Sequence, residues 1–258
     1  MLPGFDTKID GNFLNELMGE NAASTETSYS KMAEEIKNKL DLYIGPDGSL
    51  DAKKIQKDWF PQTKCDVFIS HAHADNKIAL KFASWLERNF KITSFVDSAI
   101  WRHCNNLLNA LNVRYSKNAT SSYDYDKVKI MSSHVYIMLT VSIMMMMSRT
   151  RCVFFLNTPH SLSASDAINS SRRGETSSPW IYAELAMSRL LEQRPEEKRM
   201  VIAKEEFKFN YTADREHFEP LDGETLLLWK RKAKNVIGLK AIDILYSICD
   251  EKRGDKSL

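Results

Sequence analysis

Two short stretches of this chain carry residue types that do chemistry. The first is "FISHAHAD", residues 68–75, in which an apolar run ends in His71, His73 and Asp75 at alternate positions. Imidazoles and a carboxylate so spaced can ligate a metal. At the carboxyl end of a strand they can equally be hydrogen-bonding groups, with the aspartate capping the next helix. The second is "SSPWIYAELAMSRLLEQR", residues 177–194. Ser178 is a good N-cap and Pro179 suits the first helical position, so a helix opens here from a long polar stretch. Trp180 and Glu184 then stand one turn apart on one face. The residues three and four positions from Glu184 are Trp180, Ile181, Met187 and Ser188, none of them a cation. A carboxylate beside an indole at the start of such a helix suits a ligand cleft. An ordinary surface glutamate next to a packed tryptophan has the same spacing.

The metal reading has a specific form to meet. Zinc hydrolases of the metallo-β-lactamase type follow a strand with H-x-H-x-D-H, and here Asn76 stands where the last histidine would. Such a site also needs ligands from later loops, enclosed by supporting groups. Of His103, His134, His160 and His217, only His160 closely follows an expected strand. No metal is expected.

The elements that must position these residues alternate after Pro61. "CDVFIS" (65–70) predicts a strand covered on both faces. Asp75 is expected to cap the following helix, whose Ala79, Phe82, Ala83, Leu86 and Phe90 form one stripe. "KITSFVD" (91–97), "RCVFFLNT" (151–158) and "RMVIAKE" (199–205) predict a second, third and fourth strand. Helices between them imply parallel crossovers, hence an α/β, flavodoxin-like fold with an open parallel sheet flanked by helices. Residues 133–148 predict a buried helix, apolar nearly all round, with its methionines as adaptable core. Two long irregular stretches are expected, 113–132 and 157–178, the second lying where ligands bind in such sheets. "LWKRKAKNVIGLKAIDILYSIC" (228–249) predicts one final helix with a basic start. Residues 1–62 predict a small N-terminal helical extension to a main domain at 63–258. In it, Met32, Ile36, Leu40 and Ile44 recur at helical spacing, and a short helix before Pro61 packs through Leu50, Ile55 and Trp59.

Composition sets outer bounds. The 258 residues, 43% hydrophobic and 27% charged, suit one large soluble domain or a domain with an appendage. The net charge of +2 gives no overall field for nucleic acid or an anionic membrane. The longest apolar run, "VYIMLTVSIMMMM", has 13 residues, too few to span a bilayer, and the N-terminus lacks a signal-peptide pattern. Cys65, Cys104, Cys152 and Cys249 form no C-x-x-C pair, which suits reduced thiols in a cytoplasmic protein.

Taken in order, these stretches resemble the Toll/interleukin-1 receptor (TIR) domains, bacterial ones in particular. The resemblance is carried by "DVFISHAHAD", "ITSFVDS", "CVFFLNT" and "SPWIYAEL", and covers roughly residues 64–205. The lead-in "DGSLDAKKIQKDWFP" is similar to the helical prefix of a group of bacterial TIR proteins. The resemblance implies an enzyme that cleaves NAD+ between nicotinamide and ribose, giving ADP-ribose or a cyclic ADP-ribose isomer, often in antiphage defence of the Thoeris type. It implies Glu184 as the catalytic residue, with Trp180 lining the pocket beside it. Phe68, Ser70 and His71 would contact adenosine or phosphate. Asp97, Ser98 and Trp101 would belong to the BB loop, which borders the pocket and builds assembly contacts. NAD+ is then a substrate, and no further cofactor is implied. The implied partners are other copies of the chain through TIR–TIR contacts and, for a cyclic product, an effector that senses it. A TIR scaffold that works by homotypic assembly without chemistry is the alternative. The stretches at 113–132 and between "NT" and "SPW" are longer than in a typical TIR domain, and both would reshape the pocket.

The chemistry is consistent with that expectation. Breaking the bond leaves positive charge on the ribose, as in glycoside hydrolysis, and nicotinamide departs as a neutral base. One ionised carboxylate near the ribose can stabilise the cation.

Overall fold

The computed structural model describes residues 4–9, 11–19, 43–44, 49–96, 98–118, 121–162, 175–176, 178–192, 211–212 and 217–254. In chain order the strands are β1 (Gly4–Lys8), β2 (Val67–Ser70), β3 (Ser94–Val96), β4 (Cys152–Asn157), β5 (Glu175–Thr176), β6 (Tyr211–Thr212) and β7 (Phe218–Leu221). The helices are α1 (Gly11–Met18), α2 (Ala52–Trp59), α3 (Asn76–Phe90), α4 (Ser98–Leu111), α5 (Tyr125–Met147), α6 (Pro179–Glu192), α7 (Gly223–Lys232) and α8 (Leu239–Gly254).

Five strands form one parallel sheet in the order β3-β2-β4-β1-β7, and β5 and β6 make a separate antiparallel ribbon. The fold is α/β and flavodoxin-like. Counted from β2, the order follows the flavodoxin pattern of second, first, third, fourth and fifth strand. The fourth place is filled by β1, from the very start of the chain.

Alternation along the strands divides the core in two. On the back, Phe5, Val67, Ile69, Val96, Phe154 and Leu156 pack against α1, α3, α7 and α8. Aromatic rings dominate there: Phe90 stacks on Trp229 with centroids 4.0 Å apart, and Phe5 stacks on Phe154 at 5.0 Å. Each fully buried ring of this kind contributes about 1.5–3 kcal/mol of transfer free energy. On the front, Phe68, Phe95, Val153, Phe155 and Phe218 pack against α2, α4, α5 and α6.

The helices start and stop where local chemistry directs. Asp51 caps α2 by accepting from Lys54 N at 3.0 Å, and Ile55 and Trp59 are buried beneath it. The α3 stripe of Ala79, Phe82, Ala83, Leu86 and Phe90 is buried, and Lys91 ends the helix at φ 56 with its N–H bonded to Glu87 O. Asp124 caps α5, accepting from the backbone N–H groups of Asp126 and Lys127.

Several expectations are corrected. The N-terminal segment is not only a helical appendage, because residues 4–8 form an interior strand of the main sheet. The irregular stretch expected at 113–132 shrinks: a π-helical turn covers Asn112–Ser116, Lys117 bridges Tyr123, and α5 starts at Tyr125. Helix α5 is not buried all round. Val135, Leu139, Ser142, Ile143, Met146 and Met147 face the core, while Ile130, Ile137, Val141 and Met144 are exposed. Among the described residues it is the one helix long and apolar enough to cross a membrane, and its inner face packs on protein. The single tail helix is two, α7 and α8, broken where Asn235 and Gly238 take positive φ of 68 and 64. The strand expected at 199–205 lies outside the described residues, as does the helix expected over 26–44 except for its last two residues, where Ile44 is not helical but pairs with Leu50 in an isolated antiparallel bridge.

Candidate functional site

The carboxyl ends of β2 and β4 are the place to look. These neighbouring strands send their next helices to opposite faces: α3 follows β2 on the back, and α6 follows β4 on the front. That divergence marks the topological switch point, the place at which ligands bind in open α/β sheets.

Strand alternation turns Phe68 and Ser70 of β2 toward the front, where α6 lies. Ser178 caps that helix with its Oγ accepting from Ile181 N at 3.3 Å, and Ile181, Leu185 and Met187 anchor it to the front core. The same register aims Glu184 inward. Its side chain is 2% exposed, and Ser70 Oγ donates to its Oε2 at 2.6 Å. So a residue from the end of the first strand expected in the sequence meets one from the second chemical stretch, 114 positions later. Further along α6, Ser188 Oγ donates to Leu185 O at 2.7 Å. The hydroxyl proton is thereby used, so His217 Nε2–H is the donor in its 2.9 Å contact with Ser188 Oγ. Burial, with the Arg189 charge beside it, holds that imidazole below the usual range. Helix α6 is thus fixed at two points, one at β2 and one before β7.

The "HAHAD" triplet scatters. His71 is buried, His73 is exposed, and Asp75 turns across to the exit of β4. Asp75 does not cap α3 with its side chain as expected. Its Oδ2 accepts from Thr158 Oγ1 at 2.5 Å, and its Oδ1 pairs with His160 Nδ1 at 2.8 Å. Among the described residues no three His, Cys, Asp or Glu side chains come together as a metal-holding group.

The other expected site residues fare differently. Phe68 is 0% exposed and packs against the Phe95 ring at 5.4 Å, so it is a core residue and not a surface for a ligand. Trp180 is half-buried and meets the Tyr136 ring edge-on at 5.8 Å. Asp97 lies outside the described residues, and Ser98 and Trp101 fall within α4, not in a loop. The apolar recurrence of Cys104, Leu107 and Leu111, all buried, extends the helix back to the end of β3.

Sequence reasoning missed two contributors on the same edge. Asp6 on β1 accepts from Asn157 Nδ2 at 2.8 Å, joining the end of β4 to the N-terminal strand. Nothing local in "GFDTK" signals that pairing. Thr158 was also missed, although its position directly after β4 is where such groups collect. No protein-family profile, curated protein or solved structure matches the chain.

Proposed function

We propose that the chain is a TIR-type NAD+ glycohydrolase or ADP-ribosyl cyclase, acting in the cytoplasm as an antiphage effector or signal generator. The observation that carries this reading is the buried Ser70–Glu184 pair at the switch point of the sheet. A carboxylate withdrawn from water interacts more strongly with a developing cation than one in solvent does. Ser70 fixes its rotamer, so little reorganisation is needed when charge appears on the ribose. Nicotinamide leaves with the bonding electron pair as a neutral base, so the reaction asks for no acid on that side. With Glu184 this deeply set, the reading requires the front of the site to open. We expect activity to rise with protein concentration as copies associate. The test is chromatography of NAD+ incubated with concentrated wild-type protein. Nicotinamide should accumulate in step with NAD+ loss, and intact NAD+ at every concentration would end the reading.

The outer face of α5 favours a second reading, a scaffold that assembles with its own kind. Ile137, at 63% exposed, and Ile130, Val141 and Met144 present apolar surface on one long helix. Here Ile137→Glu should abolish self-association while leaving thermal stability within about 0.5 kcal/mol, as surface changes usually do. A chain that is monomeric before the change would exclude it.

A further inference from the structure

The Asp75–His160 pair stands at the same carboxyl edge of the sheet as the Ser70–Glu184 pair and has no part in the reading so far. Asp75 is 3% exposed, and both its oxygens are engaged, one by Thr158 and one by His160. An ionised carboxylate only accepts, so His160 Nδ1 carries the hydrogen in this pair. A neutral ring in that tautomer has its lone pair on Nε2, the nitrogen Asp75 does not engage. The His160 side chain is 63% exposed. The turn that carries it is held in place: Thr158 N donates to Ser161 Oγ at 2.9 Å, and Ser161 Oγ donates back to Thr158 O at 3.0 Å. Leu162, buried, closes the same turn by donating its N–H to Thr158 O at 3.2 Å. A buried acid that orients an exposed imidazole on a fixed turn is the arrangement of a general base.

Position supports the role. Ser70 is in register with Phe155, on a neighbouring strand roughly 4.8 Å away. Thr158 lies three residues beyond Phe155, at most about 10 Å along the chain. The two pairs therefore share one edge of the sheet.

Resting on the NAD+-cleaving reading above, we propose that His160, oriented by Asp75, takes the proton from the water that captures the ribosyl cation, which makes the enzyme a hydrolase. Nicotinamide has by then left with the electrons of the C1′–N bond. A lone pair of the water oxygen forms the new C1′–O bond, one of its protons passes to His160 Nε2, and the imidazolium returns it to solvent. The balance is NAD+ and water going to nicotinamide, ADP-ribose and a proton.

The consequence that separates this from a structural role concerns the acceptor. A pyridine base captures the same cation through a nitrogen lone pair and has no proton to lose. It does not need His160, whereas water does. The experiment supplies 3-acetylpyridine with NAD+ and measures the ratio of exchanged dinucleotide to ADP-ribose for wild type, His160→Gln and Asp75→Asn. General bases contribute about 10²–10⁴-fold, so the ratio should rise about a hundredfold in His160→Gln, while a rise below about tenfold overturns the proposal. Asp75→Asn should shift the ratio in the same direction. A mere packing role would lower both products together and leave the ratio unchanged. A wild-type product that is mainly a cyclised dinucleotide also overturns the proposal, while leaving the NAD+-cleaving reading intact. No nicotinamide release from wild type sinks both.

Discussion

Replacing Gly4 with alanine tests the place of the N-terminal strand β1 in the sheet beside β7. Gly4 is in register with Phe218 across the β1–β7 pair. A Cβ at Gly4 would lie 2.0 Å from Phe218 Cε1 and 2.1 Å from Cδ1, far inside the 3.0 Å that real contacts respect. The ring has little room to yield, being buried at 5% exposure with the His217 ring 4.4 Å away and the Phe155 ring at 6.4 Å. Overpacking of this kind costs about 1–3 kcal/mol. Alanine returns roughly 0.5–1 kcal/mol because glycine loses more backbone freedom in a strand. Contacts this short against a confined ring belong in the upper part of the overpacking range, about 2–3 kcal/mol, so the net loss is about 1–2.5 kcal/mol, and at about 2–4 °C per kcal/mol for a domain of this size the midpoint should fall by roughly 2–10 °C. Thermal unfolding followed by circular dichroism measures it. The same change made in a Phe218→Ala background should be neutral or slightly stabilising, since the clash is gone. A wild-type-like midpoint for Gly4→Ala, or an equal loss in both backgrounds, would show that β1 does not lie beside β7.

Other expectations follow from single contacts. Ser70→Ala removes a buried hydrogen bond to a carboxylate, so unfolding free energy in urea should fall by about 1.5–3 kcal/mol and nicotinamide release should slow even where the protein stays folded. Burial and the Arg189 charge hold His217 below 6.5, so the unfolded chain takes up the proton first. Its contribution is complete above pH 6.5 and is lost as pH falls through the lower folded value. The urea midpoint of wild type should therefore drop more steeply between pH 7.5 and 5.5, as about one unit either side of that value, than that of His217→Gln. Burial raises the Asp222 carboxyl, but hydrogen bonds from Thr225 and the nearby Lys252 charge outweigh it and leave the group below 3.8. Asp222→Ala removes the cap of α7 and should cost about 1 kcal/mol at neutral pH. That deficit should close as acid below pH 3.8 protonates the wild-type group.

Much of the architecture could be read from local pattern. The runs at 65–70, 91–97 and 151–158 gave three strands of the sheet, and the stripe from Ala79 to Phe90 gave the helix between the first two. Ser178 and Pro179 marked the start of α6, but which side of that helix Glu184 takes was left open, and the structure turns it inward. Strand β1 was not legible, because five residues of mixed character gain their place only by pairing with β4 and β7, more than 140 positions away. Strand β7 contains Pro220, which argues against an interior strand and fits the sheet edge it occupies. The exposed side of α5 escaped because methionine and isoleucine on every face read as burial, and only the position of the sheet decides which face is covered. Asp75 has the residue type and position of a cap; the competing acceptor role appears only once Thr158 and His160 are folded against it. The Ser70–Glu184 contact was half visible: both residues stood out, but nothing in their spacing joined them.

The proposed NAD+ cleavage turns on one charge, the carboxylate of Glu184. Glu184→Gln keeps the shape of the side chain and a hydrogen-bonding partner for Ser70, and removes only that charge. The decisive measurement is the rate of nicotinamide release by wild type and Glu184→Gln at equal, high concentration, with matching circular dichroism spectra. Loss of a positioned group of this kind costs about 10²–10³-fold, and a fall of that size is the expected result. A folded Glu184→Gln protein that releases nicotinamide within about threefold of wild type, far short of that range, would contradict it.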